Sequence, residues 1–384
     1  MWLGACTSAI GTWMQILAQS WLVYRLSNSS VYLGLDAFFG QIPIFLLSLF
    51  GGVFADRKSR RGLLLFSQIV QMICAFTLTL LVVTGVVRVW HIWCLSFTVG
   101  IAQSFGGPAY SALIPTLVDK KDIGNAVALN SIQFNLARVI GPMLGGIALS
   151  KLGAAWCFGL NGISFIAVII TILMIRPHFV PVKVQTSVLQ SIKEGLDFIR
   201  GREGMVSLVA LAFLLTLLSY PLITFLPVMA RDVLHGGSDL FTLLLCLSGA
   251  GSIAGALILA SMKQSHQGKR ALMIMALLGA SITAFGASRH LAVSGLMICL
   301  AGATMMIVLA SNLSVVQLYV DDRMRGRVMS VYNVAFRGGM PIGSVLCGLL
   351  IKQTSAPVVM MANGLLVILL AIYFLGFERK LVKL

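Results

Sequence analysis

The sequence predicts an all-α membrane protein with twelve transmembrane helices, arranged as two pseudo-symmetric bundles of six. Three observations lead to this prediction. Of the 384 residues, 58% are hydrophobic and only 10% are charged, whereas a soluble domain has about 25% charged residues. Twelve apolar runs each have about the 20 residues needed to cross a bilayer. One long polar connection follows the sixth run, and a sequence pattern recurs on both sides of it.

The twelve apolar runs follow one another with polar segments between them. The first run lacks a basic lead and is longer than the apolar core of a signal peptide, so we expect a spanning helix there. Residues 1–175 then form an N-terminal six-helix bundle, residues 176–204 a cytoplasmic linker, and residues 205–384 a C-terminal six-helix bundle. The runs cover residues 2–24, 31–55, 63–87, 90–117, 125–149, 154–175, 205–230, 240–262, 271–288, 291–320, 327–351 and 357–377.

The linker contains apolar residues at helical spacing, which predicts an amphipathic helix. These residues are Val188, Leu189, Ile192, Leu196 and Ile199. An amphipathic helix suits the inner membrane surface, where it would tether the two bundles. A docking site for a regulatory partner is the alternative interpretation.

The basic residues follow the positive-inside rule, by which lysine and arginine are enriched in cytoplasmic loops. With the loop after the second run placed in the cytoplasm, 20 of the 28 Lys and Arg residues lie on that side. Six lie outside and two lie within helices, so both termini are expected to be cytoplasmic. The formal charge of +16 therefore reflects membrane orientation, and we expect no nucleic-acid partner.

Residue types that would indicate an enzyme or a cofactor site are not grouped in this sequence. All seven cysteines lie in apolar runs without a Cys-x-x-Cys pair, and the five histidines lie at the edges of runs or in loops. No Gly-x-x-x-x-Gly-Lys-Ser/Thr loop for ATP occurs. We therefore expect no metal, no cofactor and no enzymatic activity.

Three ionisable residues lie inside the predicted helices, where a charge is costly and marks a candidate functional site. Asp36 is the only carboxylate among them, about one and a half turns from the outer end of its helix. It could bind a transported proton, or reach the outer headgroups. Arg138 and Arg337 lie near mid-helix, each four residues before a proline that frees the arginine's own carbonyl. They could recognise an anionic or oxygen-rich substrate, balance the charge of Asp36, or hydrogen-bond these carbonyls in a packed core.

The two arginines belong to a pattern that relates the two halves, since Arg138-x-x-x-Pro142 in the fifth run matches Arg337-x-x-x-Pro341 in the eleventh. Prolines interrupt the helical hydrogen-bond ladder, and glycines let helices approach closely. Repeated halves are typical of transporters that bind substrate near the midplane. The expected helix kinks are at Gly141, Pro142, Gly145, Gly338, Gly339 and Pro341. Further polar residues expected along the substrate or proton pathway are Gln15, Gln19, Gln103 and Asn333.

The loop between the second and third runs resembles the signature loop of the major facilitator superfamily. It has the pattern Gly52-x-x-x-Asp56-Arg57-x-x-Arg60-Arg61, with Ser59 where that family usually has Gly. Segments of the first, fourth and eleventh helices also resemble the enterobactin-exporter-like family. These segments are Gly11-Thr12-Trp13-Met14-Gln15, Gln103-Ser104-Phe105-Gly106-Gly107-Pro108-Ala109 and Arg327-Val328-Met329-Ser330.

The resemblance implies the major facilitator fold, in which two bundles rock around a central site. It also implies an inner gate that is ion-paired when the protein opens outward; the alternative is a solvated loop that obeys the positive-inside rule. The expected gate residues are Gly52, Asp56, Arg57, Arg60, Arg61, Asp119 and Asp122.

The function implied by the resemblance is secondary active transport. The motif Gly141-Pro142-x-x-Gly145-Gly146 is similar to one associated with antiporters. An arginine found in the fourth helix of many proton-driven relatives is absent here. We expect a monomer in a bacterial inner membrane that exports a siderophore or similar amphiphilic small molecule by alternating access, with protons as the coupling ion. Multidrug or macrolide efflux is the first alternative, and a lipid flippase is the second.

Overall fold

The computed structural model describes residues 1–57, 59–175, 188–262 and 267–377, and these residues form helices and short connections without a strand. The all-α prediction is thus confirmed. The helices of the first half are α1 (Trp2–Ser27), α2 (Ser30–Arg57), α3 (Arg60–Val83), α4 (Val89–Leu113), α5 (Ile123–Lys151) and α6 (Ala154–Met174). Short 3-10 turns at Ile114–Thr116 and Lys120–Asp122 connect α4 to α5.

The second half begins with a broken helix. The sequence predicted a span over residues 205–230, and a helical stretch long and apolar enough to cross a membrane is found at Met205–Val233. That stretch is not one continuous helix. The chain instead forms α8 (Met205–Ser219), α9 (Pro221–Thr224), α10 (Leu226–Val228) and a π-helical turn at Met229–Val233. Pro221 and Pro227 each lie in the first turn of a new short helix, because proline has no backbone N–H to continue the preceding hydrogen-bond ladder.

Five long helices complete the second half. They are α11 (Ser238–Ser261), α12 (Gln267–Ala287), α13 (Leu291–Tyr319), α14 (Asp322–Gln353) and, last in the chain, the apolar α15 (Ala356–Phe377), which with the broken α8 segment make six. Helices α5 and α14 continue through their internal prolines, Pro142 and Pro341. The expected kinks at these positions therefore do not end the helices.

Ten helical stretches among the described residues are long and apolar enough to cross a membrane. Helices α1 and α4 are not among the ten, although they have 26 and 25 residues. Both contain amide side chains, including Gln15, Gln19 and Gln103, which lower their mean hydropathy. A multi-pass membrane protein is confirmed, while the count of twelve crossings remains a prediction. Large apolar side chains such as Ile73, Leu257 and Leu369 are more than half exposed, as lipid contact requires.

The chain divides into two compact units. Unit 1 comprises Met1–Asn28 and Leu35–Val188, and unit 2 comprises Ser29–Gly34 and Leu189–Leu384. Inside unit 1, α1 packs on α5 and α6, and α3 packs on α4 and α6. Inside unit 2, α8 packs on α14 and α15, and α12 packs on α13 and α15. The same helix pairs thus recur in each unit, in the order that the repeated sequence pattern indicates.

Close helix packing within each unit depends on glycine. A Cβ built on Gly141 of α5 would lie 2.5 Å from Trp13 Cβ and 2.7 Å from the Ile10 carbonyl oxygen of α1. A Cβ built on Gly339 of α14 would lie 2.4 Å from the Phe213 carbonyl oxygen of α8. The two glycines occupy equivalent helix pairs, so the expected role of these motifs in close approach agrees with the packing.

A further helix, α7 (Val188–Gly201), lies in the segment expected to be the linker. It packs against the start of α14, because a Cβ on Gly195 would lie 2.7 Å from the Arg327 carbonyl oxygen. Glu194 forms an ion pair with Arg327, and Ile199 is buried. Just beyond α7, Arg202 pairs with Asp321 at 3.3 Å. These contacts make α7 part of unit 2.

Candidate functional site

Asp36 lies inside unit 1, on the seventh residue of α2. It is therefore about 9 Å along the helix axis from Ser30. The side chain is only 7% exposed. The structure places this carboxyl between neighbouring helices of the same unit. In this conformation its side chain is packed inside the unit and is not extended towards the outer headgroups.

Two neutral side chains hold Asp36. The Ser96 hydroxyl of α4 donates to Asp36 Oδ1 at 2.7 Å. The Gln19 amide of α1 lies 3.1 Å from Oδ1 and 2.9 Å from Oδ2, and also 2.9 Å from Ser96 Oγ. Three helices thus converge on one carboxyl, and among the described residues its side-chain partners are an amide and a hydroxyl. Within this structure the expected arginine counter-charge is therefore not what Asp36 binds.

The hydrogen bonds continue from Gln19 to α6. Gln15 Nε2 lies 3.5 Å from Gln19 Oε1, one turn along α1. The Asn161 amide donates to Gln15 Oε1 at 2.7 Å, and Ser164 Oγ donates to Asn161 Oδ1 at 3.1 Å. Gly11 makes room for this end of the chain, since its Cβ would lie 2.5 Å from Asn161 Oδ1. The polar chain therefore connects Asp36 with the interior of the α1–α6 interface.

The remaining expected pathway residues lie in other contacts. Gln103 of α4 donates to Gln71 Oε1 of α3 at 3.0 Å, and Gln71 in turn donates to Ser67 Oγ at 3.0 Å. This pair bridges two helices of unit 1 without joining the Asp36 hydrogen bonds. Asn333 of α14 is exposed. The structure thus brings Gln15 and Gln19 to Asp36, but not Gln103.

The two arginines are each half-buried within their own unit. The Arg138 guanidinium carbon lies 5.7 Å from the centre of the Trp13 ring, in the range of a cation–π interaction. Trp13 also packs edge-on against Phe134, with ring centroids 6.2 Å apart. In unit 2, Arg337 lies within electrostatic range of Tyr220. Each arginine therefore has an aromatic side chain near it.

The basic loop between α2 and α3 makes contacts with backbone carbonyls. Arg60 Nη1 donates to the Ala112 oxygen at 2.9 Å, and Arg61 Nε donates to the Ile172 oxygen at 3.0 Å. Ser59 accepts a hydrogen bond from the Gly62 amide and so caps α3, which gives this departure from the family's usual Gly a structural role. The side chains of Asp56 and Arg57 lie outside the described residues.

The glycines of the signature loop differ in their surroundings. Among the described residues nothing lies within 4 Å of a Cβ built on Gly52, and the gate role of Gly52 remains a prediction. The close approach is at Gly51, where a Cβ would lie 1.9 Å from the Ser104 carbonyl oxygen of α4. Of the other expected gate residues, Asp119 precedes the 3-10 turn before α5 and Asp122 is the last residue of that turn. Whether the gate residues pair with one another remains a prediction.

The chemistry of unit 1 is that of neutral and acidic oxygen groups. Among the described residues, no group of three His, Cys, Asp or Glu side chains could hold a metal ion. Six of the seven cysteines are buried or half-buried, and Cys94 of α4 is exposed. Cys94 is two positions before Ser96, so the two side chains point to different sides of the helix. The arrangement can therefore hold or release a proton at Asp36, and it offers no metal chemistry in the described part.

Comparison with known families decides the class of protein. The sequence profile of a family described as transmembrane secretion effector matches residues 1–383. The chain belongs to this family. It is therefore a major facilitator transporter and not an enzyme, as the signature loop and the repeated halves implied. The resemblance to the enterobactin-exporter-like family is likewise confirmed.

Individual relatives agree with this assignment. The chain is 24% identical to the staphyloferrin A transporter of Staphylococcus aureus, over 97% of this chain and 94% of that one. It is 24% identical to the enterobactin exporter of Shigella boydii, over 85% and 78%. It is 20% identical to macrolide efflux protein A of Streptococcus pyogenes, over 97% and 93%.

A solved structure supports the fold alone. The crystal structure of the nucleoside transporter NupG superposes with a TM-score of 0.74 at 14% identity, covering 98% of this chain and 97% of that one. The chain therefore has the major facilitator fold that its sequence predicted.

Sequence reasoning missed two members of the site, Ser96 and Asn161. Serine occurs throughout these helices, so its position alone carried no signal. Asn161 is the one amide side chain in α6 and could have been singled out as Gln15 and Gln19 were. Neither residue could be assigned to Asp36 without knowing which faces of α1, α4 and α6 meet.

Proposed function

We propose that this transporter exports a siderophore or a similar amphiphilic small molecule by alternating access, driven by proton antiport. Transport itself follows from the family. The substrate class is supported by two relatives, one named a staphyloferrin A transporter and the other an enterobactin exporter. The direction is supported by the Gly141-Pro142 motif, which is similar to one associated with antiporters.

Asp36 is the proton carrier in this proposal, and its surroundings are the observation that supports it. The carboxyl is buried and its described partners, Gln19 and Ser96, are neutral. It can therefore take up a proton without breaking an ion pair. The Ser96 hydroxyl rotates freely, so it donates to the carboxylate and accepts from the protonated acid. The short contact then persists in both protonation states.

The test uses Asp36→Asn, which keeps the shape of the side chain and replaces the titratable carboxyl with an amide that does not exchange a proton with the pathway. The matched control is Asp239→Asn, because Asp239 is an exposed carboxylate at the start of α11. In everted vesicles with an imposed pH gradient, we expect Asp36→Asn to lose gradient-driven substrate accumulation while still exchanging labelled for unlabelled substrate. The Asp239→Asn protein should behave as wild type. Full gradient-driven accumulation by Asp36→Asn would refute the proton role and leave transport standing.

Macrolide efflux is the second candidate, and the similarity to macrolide efflux protein A over 97% of the chain favours it. The two candidates differ in one cell-based comparison. A host that makes a siderophore but lacks its own exporter would carry this chain, and both secreted siderophore and the inhibitory concentration of macrolides would be measured. Restored secretion without a change in macrolide resistance supports the first candidate; the reverse result supports the second.

The inner gate is also proposed here. Arg60 and Arg61 bind carbonyl oxygens in this structure, and we infer that in another conformation they pair with Asp119 and Asp122. Exchanging the charges in Arg61→Asp with Asp119→Arg should then restore transport that either single change impairs. Equal loss in the single and double variants would argue against the pairing.

The cellular setting is the remaining part of the proposal. The excess of basic residues on one side supports a bacterial inner membrane protein with both termini in the cytoplasm, and we propose that it functions as a monomer. Terminal fusions to a reporter that is active only in the periplasm should stay inactive at both ends. Mass photometry in nanodiscs should give one chain per disc.

A further inference from the structure

The amide side chains between α6 and Asp36 all point the same way. Gln15 and Gln19 lie on α1, where side chains four positions apart share a face. Asn161 comes from α6 and is only 2% exposed. These three side chains form the amide chain. Each amide nitrogen in it donates to the next oxygen towards Asp36, and the last one donates to the carboxylate itself.

The carboxylate determines this direction, because an ionised carboxylate accepts hydrogen bonds and donates none. Gln19 must therefore turn its nitrogen towards Asp36, 2.9 Å from Oδ2, and its oxygen towards Gln15. Gln15 then turns its nitrogen towards that oxygen, 3.5 Å away, and its own oxygen towards Asn161. The Asn161 nitrogen donates to this oxygen at 2.7 Å. The positive end of every amide dipole in the chain thus faces Asp36.

We propose that Asn161 is a positioning residue that controls the protonation of Asp36 through Gln15 and Gln19. Its N–H group holds the Gln15 oxygen, and this keeps the donors of the amide chain directed at the carboxylate. Hydrogen-bond donors favour the ionised form of a carboxyl, and hydrogen bonds in series polarise one another in a protein interior. The consequence for transport rests on the proposed role of Asp36 as proton carrier, whereas the effect on its titration does not.

Other titratable groups must be separated from this effect. The groups that act most strongly on the charge of Asp36 are Gln19 and Ser96. Ser96 donates to Asp36 directly and is not a member of the amide chain. The remaining titratable side chains described on α1, α2, α4 and α6 are Cys6, Tyr24, Arg25, Tyr32, His91, Cys94, Tyr110 and Cys157. Variants of the amide chain leave all of these groups unchanged, so a shift in the titration of Asp36 reports on the chain.

The test follows the infrared band of protonated carboxyl groups in the full-length protein in nanodiscs as the pH is varied. The protein has only 12 acidic residues, so a band that is missing from Asp36→Asn can be assigned to Asp36. Asn161→Leu keeps the size of the side chain and removes the amide. Its midpoint should move to higher pH by about half a unit, a part of the roughly one unit or more expected from losing a hydrogen bond to a charged group. An unchanged midpoint would overturn the proposal.

A double-variant cycle separates positioning from packing. Gln15→Leu breaks the amide chain one link nearer to Asp36 and should shift the midpoint at least as far as Asn161→Leu. Adding Asn161→Leu to Gln15→Leu should give no further shift, because Asn161 acts through Gln15. Additive shifts would overturn the proposal. If Asn161→Leu fails to fold, Gln15→Leu decides alone, because Gln15 is only half-buried and an unshifted midpoint there also overturns the proposal.

The matched control is Asn363→Leu, since Asn363 is also a buried amide but contacts Cys347 in unit 2. Its midpoint should equal that of wild type, and a shift as large as that of Asn161→Leu would contradict the proposal. The titration and the transport assay fail separately. Full gradient-driven accumulation by Asp36→Asn would remove proton antiport and leave the positioning role, whereas an unshifted titration would remove only the positioning role.

Discussion

The substitution Gly141→Ala tests the α1–α5 packing most directly, because the added methyl has no space. Its Cβ would lie 2.5 Å from Trp13 Cβ, about 0.9 Å short of the 3.4 Å at which ordinary contact begins. It would also lie 2.7 Å from the Ile10 carbonyl oxygen. Neither atom is the end of a flexible side chain, so α1 and α5 must move apart by a large fraction of this 0.9 Å overlap.

The expected size of the effect follows from this overlap. Overpacking of a core typically costs about 1–3 kcal/mol. The matched control is Gly124→Ala in the same helix, where nothing described lies within 4 Å of the added Cβ. That substitution should raise the free energy of unfolding by up to about 1 kcal/mol, since alanine is a better helix former than glycine. The two variants should therefore differ in unfolding free energy by roughly 1–4 kcal/mol, although both add one methyl group to α5.

The assay is thermal unfolding in detergent, followed by tryptophan fluorescence. We expect the midpoint of Gly141→Ala to lie below wild type and that of Gly124→Ala to lie at or above it. The separation of α1 from α5 also displaces Trp13 from Arg138, so transport by Gly141→Ala should fall even at temperatures where it stays folded. Equal midpoints for the two variants would refute the close contact.

Three other outcomes are expected from the same contacts. Ser96→Ala removes the shortest hydrogen bond to Asp36. Gradient-driven export should fall about tenfold, since a hydrogen bond to a charged group contributes about 1.5–3 kcal/mol. An unchanged export rate would count against the Ser96 contact. Glu194→Arg or Arg327→Glu alone should expose α7 to limited proteolysis, and the double exchange should restore resistance; equal cleavage in all variants would contradict the ion pair. Ser59→Ala removes the N-terminal cap of α3 and should lower the stability of its first turn by about 1 kcal/mol. Amide hydrogen exchange should then become faster in the first turn of α3 and nowhere else.

The fold could be predicted from sequence because lipid imposes a simple rule. Long apolar runs must be helices, so most helix boundaries lie within a few residues of the expected ones. The exception is the stretch around Pro221 and Pro227, where hydropathy indicates a single span but the missing N–H groups break the helix. Hydropathy reports which residues prefer lipid and does not report local hydrogen bonding.

The site could be predicted only in part, for a different physical reason. Asp36 was identified because a lone carboxylate in an apolar run must be accommodated somewhere. Its partner Ser96 could not be, because the pairing depends on how α1, α2 and α4 are rotated about their axes. The same reason explains why the close approach to α4 is at Gly51 and not at the neighbouring Gly52, since adjacent residues point about 100° apart on a helix.

The side chain of Cys94 is exposed on α4 and offers a natural attachment point for a label on that helix in detergent. It is the exposed member of seven cysteines and lies less than one turn from Ser96, on another side of α4. A fluorophore attached there by maleimide would report on α4 without entering the hydrogen bonds around Asp36. Movements of that helix during turnover could thus be followed from a natural residue.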